Sequence, residues 1–196
     1  MPIQRCFLPR VVVGWAAAVV FTASAVAQTM PLPERIAQCG TCHGEDGNSR
    51  MERIPSLAGQ PEFFILNQLF LMREGVRQVD VMMPFVKELK DEDMDALAKH
   101  FAKVEPKASD EKIESALAQR GEELAGPLRC ASCHLPDLSG QNQMPRLAKQ
   151  RVDYLIHSLK EYRDNTRTGS DTLMNNVVAG RSDIDLAALA HYAAGK

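Results

Sequence analysis

A five-residue pattern, Cys-x-x-Cys-His, occurs twice in the chain of 196 residues, at Cys39–His43 and at Cys130–His134. This pattern is the attachment signature of c-type haem, in which two thiols bond to one haem and the next histidine binds its iron. The sequence therefore predicts two covalently attached haem c groups. The residues expected to attach them are Cys39, Cys42, His43, Cys130, Cys133 and His134.

Two other interpretations of the cysteines are a zinc site and disulfides. A single zinc ion could be held by the four cysteines of two Cys-x-x-Cys pairs. An even number of cysteines in an exported chain also suggests disulfide bonds. Neither interpretation explains why a histidine follows both pairs, and neither uses the methionines further along the chain. The sequence favours haem.

Methionines at matching distances from the two motifs are candidates for the second axial ligand of each iron. Met82 lies 43 residues after Cys39, and Met174 lies 44 residues after Cys130. Met83 remains an alternative to Met82 because it directly precedes a proline, although the register favours Met82. Iron held by histidine and methionine has a raised potential and no vacant position for substrate. The pattern predicts an electron carrier, not an enzyme.

Other polar and proline positions recur near the motifs. Pro55 and Pro145 follow the two motif histidines by 12 and 11 residues, and we expect their carbonyls to accept the second imidazole N–H and fix the ring. Six further side chains either face haem propionates or belong to a solvated helix face: Gln60, Gln150, Arg73, Arg77, Arg163 and Arg167.

The chain is an internal repeat with an offset of 90 to 92 residues, so one structural unit is used twice. Apolar spacing and acidic starts predict helices over residues 32–41, 62–74 and 91–104, and again over 110–124, 151–162 and 183–193. No stretch has the alternation of a strand. We predict an all-α fold of two tandem domains, each wrapped around one haem. The boundaries are a signal peptide 1–27, domain 28–105, linker 106–109 and domain 110–196.

The first 27 residues have the pattern of a secretory signal peptide. Arg5 and Arg10 precede an uncharged run that ends in Ala-Val-Ala at position 27. Cleavage there gives a mature chain that begins at Gln28 in the periplasm. An uncleaved anchor is the alternative, because an apolar run of this length is close to the ~18–20 residues that span a bilayer.

The charge of the mature chain bears on its partners. It carries 21 basic and 25 acidic residues, which argues against nucleic acid or an anionic membrane surface as a partner. The acidic excess lies in residues 28–105, with 9 basic and 13 acidic side chains. We expect redox proteins as partners, with peripheral membrane association still open, and the acidic first domain invites a basic partner.

With these motifs identified, the mature chain resembles the cytochrome c4 family, which has two class I cytochrome c domains in tandem. The resemblance covers nearly all of residues 30–196. It rests on both haem motifs, on Pro-x-Leu-Ala-x-Gln at 55–60 and 145–150, and on residues 89–93. It implies that His43 and Met82 bind one iron and that His134 and Met174 bind the other. It also implies domains that face each other with their haem propionates close.

The resemblance implies a periplasmic carrier that passes single electrons from respiratory donors towards a terminal oxidase or another acceptor. Three departures from the family pattern bear on the partner: Leu135 replaces a small residue, Arg181 stands where the first half has Leu89, and the first domain is short. The short domain is similar to dihaem subunits of dehydrogenases, such as flavocytochrome c, which is the alternative function. A third possibility is a haem enzyme or gas sensor with one open iron.

Overall fold

The computed structural model describes residues 30–169 and 172–196, and the regular structure in these residues is helical. An isolated antiparallel bridge joins Gln141 and Met144. The predicted all-α fold is confirmed, whereas the predicted signal peptide, residues 1–27, lies outside the described residues. The described helices are α1 (Leu32–His43), α2 (Glu62–Arg73), α3 (Met83–Val86), α4 (Asp91–Ala102), α5 (Ser115–Ala125), α6 (Ala131–His134), α7 (Val152–Arg163), α8 (Thr172–Val178) and α9 (Asp183–Ala194).

Helices α1–α4 pack with one another in the first half, residues 30–105, and α5, α7, α8 and α9 pack with one another in the second half, residues 110–196. In the first half, α4 contributes Met94, Leu97 and Phe101 to the core. Each such buried side chain stabilises the fold by about 1.5–3 kcal/mol. In the second half, the C-terminal helix α9 lies between α5 and α7 and buries both leucines and alanines. Each half thus has its own small core.

The haem motifs occupy different local structures in the two halves. In the first half, α1 continues through the motif and ends at His43, followed by Gly44 with φ 89°. In the second half, α5 ends at Ala125, and the motif forms the separate short helix α6. The interruption coincides with Pro127, which has no N–H to continue a helix.

The start of α5 corrects the sequence-based prediction. The helix was expected from residue 110 with Ser109 near its cap, but it begins at Ser115, with Glu114 at the N-cap. The intervening residues are used elsewhere: both carboxylate oxygens of Glu111 accept the N–H groups of Val152 and Asp153, at 2.7 and 2.9 Å. Glu111 therefore caps α7, where its negative charge also complements the helix dipole.

The segment between the halves is attached to the first half. Lys107 donates its N–H to Asn48, and its ammonium group lies 2.6 Å from a carboxylate oxygen of Asp46. A Cβ on Gly59 would lie 2.9 Å from the ring of Pro106, so the chain passes closely over this glycine. None of the helices in residues 30–169 and 172–196 has the length and apolar character of a membrane span.

Candidate haem-binding sites

All four motif cysteines line one cavity of about 920 Å³ that extends across both halves. Their thiols form no disulfide within the described residues. Burial raises the pKa of Cys39 and of Cys130, so these thiols are neutral. Within residues 30–169 and 172–196, no three histidine, cysteine or acidic side chains are arranged to hold a metal ion. Neither the single-zinc arrangement nor the disulfide arrangement is found among these residues.

Both motif histidines are fixed by proline carbonyls, as the sequence predicted. The Nδ1–H of His43 donates to the carbonyl of Pro55 at 2.7 Å, and that of His134 donates to Pro145 at 2.8 Å. Because Nδ1 carries the hydrogen, Nε2 keeps the lone pair that a metal needs. Burial lowers the pKa of both histidines, against the opposing effect of these hydrogen bonds, so the imidazoles are neutral.

The candidate methionines lie at the same cavity. Met82 is at the N-terminal end of α3, Met174 is in α8, and both line the cavity. Both Met82 and Met83 pack against the core of the first half, but Met83 is not among the residues that line the cavity. Both Met82 and Met174 are partly buried. The structure therefore brings one histidine and one methionine from each half to the cavity wall.

The six polar side chains with open roles fall into three pairs. Arg73 donates to the carbonyl of Leu89 and to Asp91, and Arg163 donates to the carbonyl of Arg181 and to Asp183. These two arginines therefore belong to the helix surface. The other two pairs line the cavity: Arg77 with Arg167, and Gln60 with Gln150.

Arg77 and Arg167 make the junction of the halves electropositive. Arg167 forms an ion pair with Glu161 at 2.9 Å and lies 4.9 Å from the ring centre of Tyr162. Burial would raise the pKa of Tyr154, but the guanidinium groups of Arg167 and Arg77 outweigh burial and lower this pKa to about 8. A neighbouring anion is stabilised by such an environment. Haem propionates are anions of this kind.

Gln60 and Gln150 connect the two halves in the same way. Gln150 accepts the N–H of Ser56 at 2.8 Å and donates to the carbonyl of Ser56 at 2.9 Å. Gln60 accepts the N–H of Arg146 at 2.9 Å and donates to its carbonyl at 3.0 Å. Position 146 is the repeat of position 56, and 150 is the repeat of 60. We call these four residues the glutamine clasps.

Arg146 adds a contact between the halves that the sequence did not reveal. The residue is only 3% exposed, and its guanidinium group donates to the carbonyl of Ala58 in the other half at 3.1 and 2.8 Å and also to the carbonyl of Ala148. Burial lowers the pKa of Arg146 to about 10, so it is still charged at neutral pH. The repeated Pro-x-Leu-Ala-x-Gln segment identified this region, but spacing alone could not show that its two copies meet.

The residues at the cavity fit a haem in each half. His134 Nε2 is buried and has no hydrogen-bond partner in the described part of the chain, which is unusual for a polar atom unless it binds something. Paired thiols, a thioether and two arginines complete a donor set that suits an iron porphyrin with acidic side chains.

Comparison with known proteins also points to a cytochrome unit in each half. Residues 118–193 match the family model described as cytochrome c, and residues 35–101 match the model described as cytochrome c oxidase, cbb3-type, subunit III. Cytochrome c4 of Pseudomonas aeruginosa is 34% identical over 170 residues, covering 82% of this chain and 85% of the relative. The thiosulfate dehydrogenase electron acceptor of Thiomonas intermedia is 30% identical over 175 residues, covering 84% of this chain and 81% of the relative.

Among solved structures, reduced cytochrome c4 from Pseudomonas stutzeri superposes with a TM-score of 0.77 at 32% identity, covering 84% of this chain and 96% of that one. The two helical units, one matched by the cytochrome c model and the other by the cbb3-type subunit III model, together with the similarity to cytochrome c4, define a dihaem c-type cytochrome. Within that class, the extent of the sequence identity shows that the chain belongs to the cytochrome c4 family. It carries two covalent haem c groups with iron and is an electron carrier, not an enzyme.

Proposed function

We propose that the chain is a periplasmic shuttle that passes single electrons between a respiratory donor and a terminal oxidase or another acceptor. The observation that carries this proposal is the presence of a complete histidine and methionine pair from each half at one cavity. The iron of a bound haem supplies reversible one-electron chemistry. Two such sites in one chain suit a relay between two protein partners.

His43 with Met82, and His134 with Met174, are the proposed axial ligands. The cysteine pairs Cys39 with Cys42, and Cys130 with Cys133, are proposed to bond to the haems. The hydrogen bonds from both histidines to proline carbonyls support these roles because they fix the ring and leave Nε2 available. Met82 is preferred to Met83 because it lines the cavity.

The periplasmic location rests on the sequence of residues 1–27, proposed here as a cleaved signal peptide. The proposed mature chain has domains 28–105 and 110–196 with a linker at 106–109. The helix contacts within each half, and the attachment of Lys107 to Asn48 and Asp46, support this division.

A second candidate function is that of a dedicated electron acceptor for one dehydrogenase. The similarity to the thiosulfate dehydrogenase electron acceptor of Thiomonas intermedia favours it. Size-exclusion chromatography of the native protein from its own cells separates the two functions. A shuttle elutes as a free dihaem protein, whereas a dedicated acceptor co-elutes with its dehydrogenase.

A redox titration of the purified holoprotein, followed by visible spectroscopy with and without carbon monoxide, tests the shuttle. We expect two transitions at positive potential that the gas does not change, because both irons have two protein ligands. Carbon monoxide binding to the native reduced protein would show an open iron and would favour a haem enzyme or gas sensor.

Three methionine variants test the ligands. Met174→Ala is expected to open only the second haem to carbon monoxide, and Met82→Ala only the first, with one gas molecule bound per protein. Met83→Ala is the matched control, and we expect it to bind none. Gas binding by Met83→Ala but not by Met82→Ala would assign Met83 as the ligand.

A further inference from the structure

We propose that the glutamine clasps make Gln60 and Gln150 positioning residues for the haem of the opposite half, so that contact between the halves sets both redox potentials. This inference rests on the proposed roles of His43 and His134 as iron ligands. It assigns a redox role to side chains that act through the peptide held by each histidine ligand.

One peptide group joins each histidine to each glutamine. The peptide between Pro55 and Ser56 accepts the imidazole N–H of His43 on its carbonyl oxygen, at 2.7 Å. The N–H of the same peptide donates to Gln150 of the second half, at 2.8 Å. The histidine ligand and the glutamine of the other half therefore share one rigid amide plane.

The second half repeats this arrangement in the reverse direction. The carbonyl of Pro145 accepts the imidazole N–H of His134 at 2.8 Å, and the N–H of Arg146 in the same peptide donates to Gln60 at 2.9 Å. Each glutamine also donates its amide to the neighbouring carbonyl, which fixes its orientation. Each half therefore holds the ligand peptide of the other.

The clasps are out of contact with water. Ser56 and Gln150 are each 2% exposed, Arg146 is 3% exposed and Gln60 is 4% exposed. In such a low-dielectric environment, hydrogen bonds polarise one another along a chain. A glutamine that accepts the peptide N–H makes the peptide carbonyl a stronger acceptor for the imidazole. The same contact holds the carbonyl in line with the ring.

A stronger hydrogen bond at Nδ1 makes the imidazole a more basic ligand. A more basic ligand favours ferric iron over ferrous iron and lowers the potential. Loss of a clasp should therefore raise the potential. The affected haem is in the opposite half: Gln150 acts on the haem of His43, and Gln60 acts on the haem of His134. A glutamine with only a structural role would not produce this crossed pattern.

The test uses Gln150→Met and Gln60→Met in the full-length holoprotein. Methionine has a similar length but lacks the amide that accepts and donates these hydrogen bonds. The potential of each haem is followed by NMR of its assigned haem methyl groups during a redox titration. We expect Gln150→Met to raise the potential of the first-half haem only, and Gln60→Met that of the second-half haem only.

Thr168→Val is the matched control. Thr168 accepts the N–H of Gln78 across the same junction, at 2.8 Å, but contacts neither ligand peptide. We expect both potentials to stay at their wild-type values in this variant. Equal shifts of both haems in any one variant, a shift in the glutamine's own half, or no shift would overturn the proposal.

Amide hydrogen exchange provides a second measurement. Gln150→Met should remove the protection of the Ser56 amide, and Gln60→Met that of the Arg146 amide, in each case with the reciprocal clasp intact. If one variant does not fold, the other tests the same crossed relation. Carbon monoxide binding by the wild-type protein would contradict the proposed function, whereas gas-insensitive haems without crossed shifts would contradict only this inference.

Discussion

The residue after each motif histidine has a positive φ, and the two halves fill this position differently. Gly44 has φ 89°, and a Cβ on it would lie 2.3 Å from the carbonyl oxygen of Asn48. Leu135, its repeat, has φ 69° and ψ 161°, a region that is nearly restricted to glycine. The departure of Leu135 from the family pattern therefore places a side chain at a strained turn that the surrounding structure holds.

Replacement of Gly44 by alanine should destabilise the first half. The new Cβ would be forced against the backbone of Asn48 at a φ that alanine disfavours, so we expect a loss of about 2–3 kcal/mol in the free energy of unfolding. Urea unfolding of the holoprotein measures it. Leu135→Ala is the control, since that position already carries a Cβ, and it should cost about 1 kcal/mol for the lost half-buried side chain. Equal losses in the two variants would contradict the steric explanation.

Single residues also show what the sequence could predict. The hydrogen bonds of His43 and His134 to the prolines were predicted because both spacings are similar and an imidazole ligand needs an acceptor at Nδ1. The roles of Gln60 and Gln150 were left open between propionate contact and a solvated face. Their partners lie 86 and 94 residues away in the chain, and no local pattern records such contacts.

At the scale of helices, the closest approach in the second half is between α5 and α9. A Cβ on Gly121 of α5 would lie 2.1 Å from the carbonyl oxygen of Ala188 and 2.6 Å from the Cβ of Tyr192. The facing positions of α9 include small residues such as Ala188, which is fully buried. The N-terminal and C-terminal helices of this half can approach closely only because both surfaces lack bulk.

Gly121→Ala should push these two helices apart. A methyl group inserted at backbone contact overpacks the core, and we expect a loss of about 3 kcal/mol in the free energy of unfolding. Urea unfolding followed by far-ultraviolet circular dichroism measures this change. Gln119→Ala is the control because this side chain of the same helix is exposed. A stability of Gly121→Ala equal to that of the control would contradict the close packing.

The longer helices were predictable, and the shorter ones were not. The predicted ranges 62–74, 91–104, 151–162 and 183–193 agree with α2, α4, α7 and α9 within two residues at each end. Helices α3, α6 and α8 have 4, 4 and 7 residues, too few to establish an apolar period. The start of α5 was predicted too early because Glu111 is used as a cap for α7, a contact between distant segments.

At the scale of the whole molecule, the halves are joined by hydrogen bonds that are mostly buried. Asp153, at the start of α7, adds a more exposed contact by accepting the N–H of Arg53 at 3.1 Å. Burial alone would raise the pKa of Asp153, but hydrogen bonds from Arg151 and Arg53 outweigh it and lower the pKa. The carboxylate therefore stabilises the joined halves while it is ionised.

Asp153→Asn should be less stable than the wild type at pH 7, by about 1 kcal/mol for the loss of a charged acceptor. Because the pKa is lowered in the folded protein, this contribution is present above the ordinary aspartate pKa of about 3.9. The contribution is lost as the pH falls through the lowered pKa that Asp153 has in the folded protein. Urea unfolding at several pH values measures the difference between the two proteins.

Asp95→Asn is the control for this charge change. Asp95 forms an exposed ion pair with Lys99 on α4, away from the junction. An exposed pair of this kind contributes little to stability, because solvent and salt screen it. A difference between Asp153→Asn and the wild type that persists undiminished in acid would contradict the assignment of the effect to the ionised carboxylate.

The repeat was sufficient to predict two similar haem-binding units. Their association was expected only from the resemblance to a family, because a repeat describes each unit and not the surface between units. The junction depends on contacts such as those of Arg146 with Ala58. The sequence pattern of Arg146, a charged residue in an apolar segment, gave no indication that its guanidinium group is buried.

The glutamine clasps also have an evolutionary consequence. Each copy of the repeated segment contains one glutamine and one ligand peptide. The glutamine of each copy accepts the N–H of the ligand peptide in the other copy. This reciprocity is the hallmark of a symmetric dimer of identical chains. A single-haem ancestor with this segment could already associate with a second copy of itself. Gene duplication and fusion then needed only a short connection to make that pairing permanent, after which the two halves were free to diverge.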